Sequence, residues 1–144
     1  ELELLQRSLP TVRRADLKIK NINRTSDVLT VARLQLQSAI ATARGAHGDA
    51  VRFARAAVAA EDKLERDDPP VWPLPARHML GEALLRANHA AEARKVFSAD
   101  LQRYPRNCVA LAGLTAAERK QRSSLSASFD SSAQTSERLS HCPE

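Results

Sequence analysis

Aromatic rings are scarce in this chain: its 144 residues include one tryptophan, one tyrosine and three phenylalanines. Single-strand nucleic-acid binders stack bases on such rings, so the shortage argues against that use of the formal net charge of +5. Glycine is also rare, with four residues, and the apolar content is carried largely by alanine, leucine and valine. Alanine and leucine are strong helix formers, so a chain with so little glycine reads as all-α. Cysteine is limited to Cys108 and Cys142, too few for a disulfide framework or a thiolate zinc site. Free thiols are the expectation, which suits a reducing compartment such as the cytoplasm or an organelle interior; a Cys108–Cys142 disulfide is the alternative. His47, His78, His89 and His141 show no metal-ligand spacing, and the adjacent His141 and Cys142 have no third ligand nearby. No apolar run approaches the length of a membrane span, and no signal-peptide core is present. The G-x-S-x-G, P-loop, H-E-x-x-H and dinucleotide-binding patterns are all missing. No catalytic residue, metal or cofactor is therefore expected, and the chain reads as a non-enzyme. It opens on Glu1 rather than Met, which suggests a piece of a longer protein.

What the chain does have is helical periodicity. Basic and acidic side chains, 22 against 17, are interleaved along it in the manner of solvated helix faces. The longest basic cluster, Arg119, Lys120 and Arg122, falls at a predicted helix end, where cations favour the macrodipole. A first clear helix follows "NRTS", with Thr25 or Ser26 as its N-cap, and carries apolar residues from Val28 to Ala43 at a period near that of the α-helix. "GAHGD" is the turn, and Asp49 caps a second helix that buries Val51, Ala54, Ala57, Val58 and Leu64. Pro69 and Pro70 stop it, because the residue before a proline is pushed out of the helical region. A third helix spans about residues 75–87, a fourth carries Ala90, Ala93, Val96, Phe97 and Leu101, and a fifth spans about residues 107–121. Beyond it Leu125, Phe129, Ala133 and Ser136 keep helical spacing through a serine-rich stretch, which is expected to form a cap, with disorder as the alternative reading of its composition.

Self-similarity organises these helices. Leu80-Gly81, Ala93-x3-Phe97 and Pro105 stand at the offsets of the pattern W-x2-L-G-x2-Y, A-x3-F and P, and Leu114 follows Leu80 by one full repeat length. The pattern resembles the tetratricopeptide repeat, although Arg77 and Leu84 occupy its Trp and Tyr places. The stretches "AVAAEDKL", "DDPPVWPLPARHMLGEALL", "AAEARKVFSADLQRYPRN" and "ALAGL" are similar to one subgroup of that family, forming the C-terminal part of longer proteins. Asp68, Pro73-Leu74 and Asn88-His89 depart from the subgroup's usual Glu, aromatic pair and Gly-Arg turn.

The resemblance implies a short right-handed α-solenoid. Residues 1–26 would be the tail of a preceding helix pair and a loop, 27–66 a first unit, 67–74 a proline and tryptophan bridge, and 75–107 a second unit. Residues 108–136 would form a third unit or capping helices, and 137–144 a tail. Trp72, the only indole, would plug the seam between two hairpins from the bridge and compensate for Arg77. Gly81 and Ala93 would allow close helix crossing, and Phe97 would fill the gap between hairpins.

In such arrays the first helix of each unit lines a concave groove, which would hold Gln35, Thr42, His78, Glu82, Arg86, Arg119 and Lys120. Arg86, Arg119 and Lys120 suit an acidic or C-terminal carboxylate partner. His78 reads as a groove histidine, with no nucleophile or carboxylate placed beside it. The expected function is a protein–protein interaction scaffold or accessory subunit of a larger assembly. The alternative is a recruiting or regulatory module of an enzyme whose catalytic domain lies elsewhere in a longer chain.

Overall fold

A computed structural model describes residues 1–15, 17–19, 22–66 and 68–139. Within them the chain is all-α apart from one short antiparallel pairing. In order, the elements are α1 (Leu2–Ala15), β1 (Lys18–Ile19), β2 (Asn23–Arg24), α2 (Thr25–Ala43), α3 (His47–Glu61), α4 (Ala76–Arg86), α5 (Ala90–Arg103) and α6 (Cys108–Leu139). Lys18 pairs with Arg24 and Ile19 with Asn23. Each helix packs on the next along the chain, and α4 additionally touches both α2 and α6. Alternate helices thus meet one another as a layer, with α3 and α5 packed against it.

The two tight turns have the same chemistry. After α2, Gly45 adopts φ +72°, its N–H donates to Thr42 O (3.0 Å) and the Ala46 N–H donates to Ala41 O (2.9 Å). After α4, Asn88 adopts φ +64°, its N–H donates to Leu85 O (3.2 Å) and the His89 N–H donates to Leu84 O (2.8 Å). Both are Schellman closures, and asparagine can stand in for glycine at the left-handed position because it tolerates that backbone.

Helix starts differ from those expected. α2 begins at Thr25 itself, whose N–H donates to Leu17 O (2.8 Å), and Ser26 Oγ faces Asp27 instead of capping an amide. α3 begins at His47, and Asp49 lies inside its first turn, bound to Arg52. In each case a backbone acceptor serves an early amide, so no side-chain cap is required: Leu17 O for Thr25, and Gly45 O for His47 at 2.9 Å.

The end of α3 differs as well. The helix stops at Glu61, well before Pro69. The ladder tightens at Lys63 and Leu64, whose N–H groups donate to Ala60 O (3.3 Å) and Glu61 O (3.0 Å), and Asn23 holds the chain that leaves it. Its buried side-chain amide donates to Glu65 O (3.0 Å) and its Oδ1 accepts from the Glu65 N–H (2.8 Å). A side chain 42 residues away thereby replaces the helical partners of Glu65. The third-unit region is also simpler than expected, since α6 runs unbroken from Cys108 to Leu139. The "QRSS" stretch contains no glycine or proline, and Ser123 and Ser124 donate to carbonyls of their own helix, so nothing interrupts it. The side chains of Phe129, Ala133 and Ser136, and all of residues 140–144 including His141 and Cys142, lie outside the described residues.

The core is alanine-rich. Ala41, Ala50, Ala54, Ala83, Ala93, Ala110 and Ala117 are buried together with Leu80, Leu84 and Phe97. Small side chains let helices approach closely, and one large side chain uses the space so made. The Phe97 ring, 3% exposed, stands where a Cβ on Gly81 would lie 2.2 Å from its Cζ and a Cβ on Gly113 would lie 2.3 Å from the same atom. Phe97 of α5 is therefore received by glycines on both α4 and α6. Ser38 adds a buried polar tie, donating to Ala50 O (2.9 Å) between α2 and α3.

Candidate functional site

Because α2, α4 and α6 form one layer, their shared face is shaped by the first half of α4. A cavity of about 460 Å³ opens there, lined by Gln35 of α2, Leu74 and Pro75 of the bridge, His78, Met79, Glu82 and Leu85 of α4, Phe97, and Val109, Ala112, Gly113 and Ala116 of α6. Leu74 and Val109 are 63% and 57% exposed, which is unusual for large apolar side chains inside a concavity.

Of the seven residues expected in the groove, the fold brings Gln35, His78 and Glu82 to this cavity. Gln35 is only 5% exposed and is committed internally: its Nε2 donates to Leu74 O (2.8 Å) and its Oε1 accepts from Trp72 Nε1 (3.1 Å). It holds the bridge instead of facing a ligand. Glu82 forms an exposed ion pair with Arg86 (2.8 Å), a contact worth little in stability. Thr42 donates to Ser38 O (2.9 Å) on its own helix. Lys120 Nζ donates to Leu85 O (2.7 Å), tying α6 to the last turn of α4. Arg119 is exposed. Thr42, Arg86, Arg119 and Lys120 do not line the cavity.

His78 has the carboxylate partner that sequence reasoning did not find. Asp100 on α5, 1% exposed, places Oδ2 3.0 Å from His78 Nε2. Asn107 completes the group. Its Oδ1 caps α6 by accepting from the N–H groups of Val109 (3.0 Å) and Ala110 (3.3 Å). Its Nδ2 donates to Asp100 Oδ2 (3.0 Å) and lies 2.7 Å from His78 Nε2. The signal was there: Asp100 continues the buried stripe of Ala93 and Phe97 at helical spacing, and a charge on a buried stripe calls for a partner. Among the described residues no hydroxyl or thiol is hydrogen-bonded to this group, and no cluster of three metal-ligating side chains occurs.

A second concavity, of about 590 Å³, lies on the loop edge between the proline bridge and the turn from α5 to α6. Trp72 lines it and is partly buried, so the indole is not the fully enclosed plug expected. Its N–H bond to Gln35 holds it from one side while the other side meets the cleft. Arg77 grips Asp62 with two bonds of 2.8 Å. That bond holds the guanidinium still more firmly protonated, and Arg103 approaches the same carboxylate at 3.6 Å. Glu61 caps α4 by accepting from the Ala76 N–H (3.1 Å). Its burial pushes the carboxyl above the usual carboxylate range, with the Ala76 bond opposing. The sequence contained one hint of this cleft: its sole tryptophan and sole tyrosine both stand beside prolines.

Of the remaining expected positions, Leu80, Gly81, Ala93 and Phe97 are buried, and Pro105 is exposed in the turn after α5. Cys108 is an exposed free thiol. None of the described helices is long and apolar enough to cross a membrane. No protein-family model, curated protein or solved structure matches the chain.

Proposed function

We propose that this chain is a protein–protein interaction scaffold, a short right-handed solenoid of tetratricopeptide-like units that serves as an accessory part of a larger assembly. The carrying observation is the cavity on the layer formed by α2, α4 and α6, where exposed Leu74 and Val109 stand beside His78 and Glu82. Contiguous apolar surface rimmed by polar groups is the usual form of an interaction site. The repeat reading is supported by Phe97, which is received by one glycine from each of two successive alternate helices. The partner is a protein segment with apolar residues for Leu74 and Val109 and acidic ones where it passes Arg86 and Arg119.

Site-directed photo-crosslinking tests this. A photoreactive side chain at Val109 or Leu74 should capture one discrete protein, and the same group at the exposed Arg94 of α5 should not. Equal labelling from all three positions, or none from the groove, would refute the groove reading.

A further inference from the structure

The only indole and the only phenol of the chain, Trp72 and Tyr104, line one cleft of about 590 Å³, the first on the bridge and the second on the turn from α5 to α6. Four of the seven prolines line it too, Pro70, Pro73 and Pro75 on the bridge bank and Pro105 on the turn bank. Two rings on proline-stiffened backbones make a preformed apolar slot that loses little conformational entropy on binding. Because Trp72 Nε1 is already bonded to Gln35, the indole offers this slot its apolar surface and not a donor.

The polar groups around the slot are asymmetric. Asp100 is satisfied by His78 and Asn107, Asp62 by Arg77, and Glu61 by the Ala76 amide. On the turn bank the charge left without an ion pair among the described residues is basic, since Arg103 already approaches Asp62 at 3.6 Å. Arg106 is exposed and has no hydrogen bond or ion pair from its side chain among the described residues, and Arg103 beside it lies over the Tyr104 ring, 5.7 Å from its centroid. On the bridge bank Glu65 and Arg66 are both exposed and offset each other. The bridge also carries unused backbone. The N–H groups of Val71 and Trp72, both residues lining the cleft, make no hydrogen bond within the described residues.

We propose that this cleft is a binding site for an extended, proline-containing peptide segment with an acidic residue next to the proline. Proline-rich segments dock in slots walled by aromatic rings because their extended helix is already formed. The Val71 and Trp72 amides are available to carbonyls that such a backbone leaves unpaired. Arg106 takes the carboxylate on the turn bank, which sets polarity and charge preference. This site shares only Pro75 with the lining of the groove of α2, α4 and α6, and does not depend on that reading.

Trp72 makes the test direct, since it is the sole tryptophan and lines the cleft. A short synthetic peptide with a central Pro-x-x-Pro flanked by glutamates is titrated into the whole chain while indole emission is followed. A saturable change is expected, with affinity at least about tenfold weaker when the glutamates are replaced by lysines. Arg106→Glu should reverse that preference without altering the melting temperature, because the side chain has no internal partner. Val109→Glu, in the groove, should leave the titration unchanged. The proposal is overturned if no saturation occurs up to about 1 mM, the range of a negligible affinity. It is equally overturned if the lysine peptide or a glycine-serine peptide of the same charge binds as well. Abolition of binding by Val109→Glu would move the peptide to the groove and remove the cleft as its site.

Discussion

Gly81→Ala is a substitution whose sign the fold decides against the local rule. Inside a helix, glycine to alanine stabilises by about 1 kcal/mol through backbone entropy. Here the added Cβ would stand 2.2 Å from Phe97 Cζ and 2.6 Å from both Cε atoms. Carbon atoms settle at about 3.5–4.0 Å, so the ring must withdraw by more than an ångström. It cannot slide sideways into α6, because Gly113 offers the same atom only a glycine's worth of room, a Cβ there falling at 2.3 Å. Overpacking of this kind costs about 1–3 kcal/mol, and a ring drawn out of its notch also loses burial. The net expectation is a loss of about 1–2 kcal/mol, seen as a lower urea midpoint with unchanged slope. Phe97→Leu provides the internal control, since leucine has no atom at the Cζ position. In that background Gly81→Ala should become neutral or stabilising, giving a coupling of about 2 kcal/mol in the double-mutant cycle. If Gly81→Ala alone raises the urea midpoint, the claim that Phe97 is clamped between α4 and α6 is wrong.

Trp72→Ala should destabilise by about 2 kcal/mol, below the range of about 3–5 kcal/mol for a wholly buried aromatic, because the indole is only partly enclosed. Trp72→Phe should cost about 1 kcal/mol by leaving the buried Gln35 Oε1 without its donor. Circular dichroism in urea measures both, and a full loss of folding in either variant would contradict the partial burial. Glu61 makes a pH prediction. Its folded-state pKa is raised, so its contribution to stability is fully present below the unfolded value and is lost as pH rises through the folded one. Over that window the melting temperature of Glu61→Gln should fall less with rising pH than that of the parent. Glu61→Ala should in addition lose the α4 cap, about 1 kcal/mol at any pH. Parallel pH profiles for parent and Glu61→Gln would show that desolvation does not govern this carboxyl.

Helix identity was legible in the residues because it depends on local spacing. Ala90 to Leu101 announces its buried face by period alone, and Leu80, Ala93 and Phe97 are buried where the pattern put them. In α2 the buried face is instead Val28, Val31, Gln35, Ser38 and Ala41, and Ala43 of the expected apolar stripe is exposed, because polar side chains with internal partners face the neighbouring helix there. Helix ends were less legible wherever a remote group supplied the partner. Nothing near Glu65 foretells that Asn23 will take over its backbone bonds, and so Pro69 looked like the stop. Of the side chains expected in one groove only Gln35, His78 and Glu82 line the same cavity, and Gln35 and Lys120 turn inward to satisfy the Leu74 and Leu85 carbonyls, partners that local spacing does not reveal.

Composition and periodicity by themselves determined an all-α chain with a small-residue core, since helix propensity and amphipathic spacing are properties of neighbouring residues. Tertiary structure alone decided that Gly113 joins Gly81 around Phe97, that Asp100 and Asn107 meet at His78, and that Trp72 shares a cleft with Tyr104. Each of these meetings joins residues tens of positions apart, brought together only once helices pack. A buried ring needs a notch, a buried charge a donor and a loop carbonyl an amide, and the partner is whichever group the packed helices place within reach.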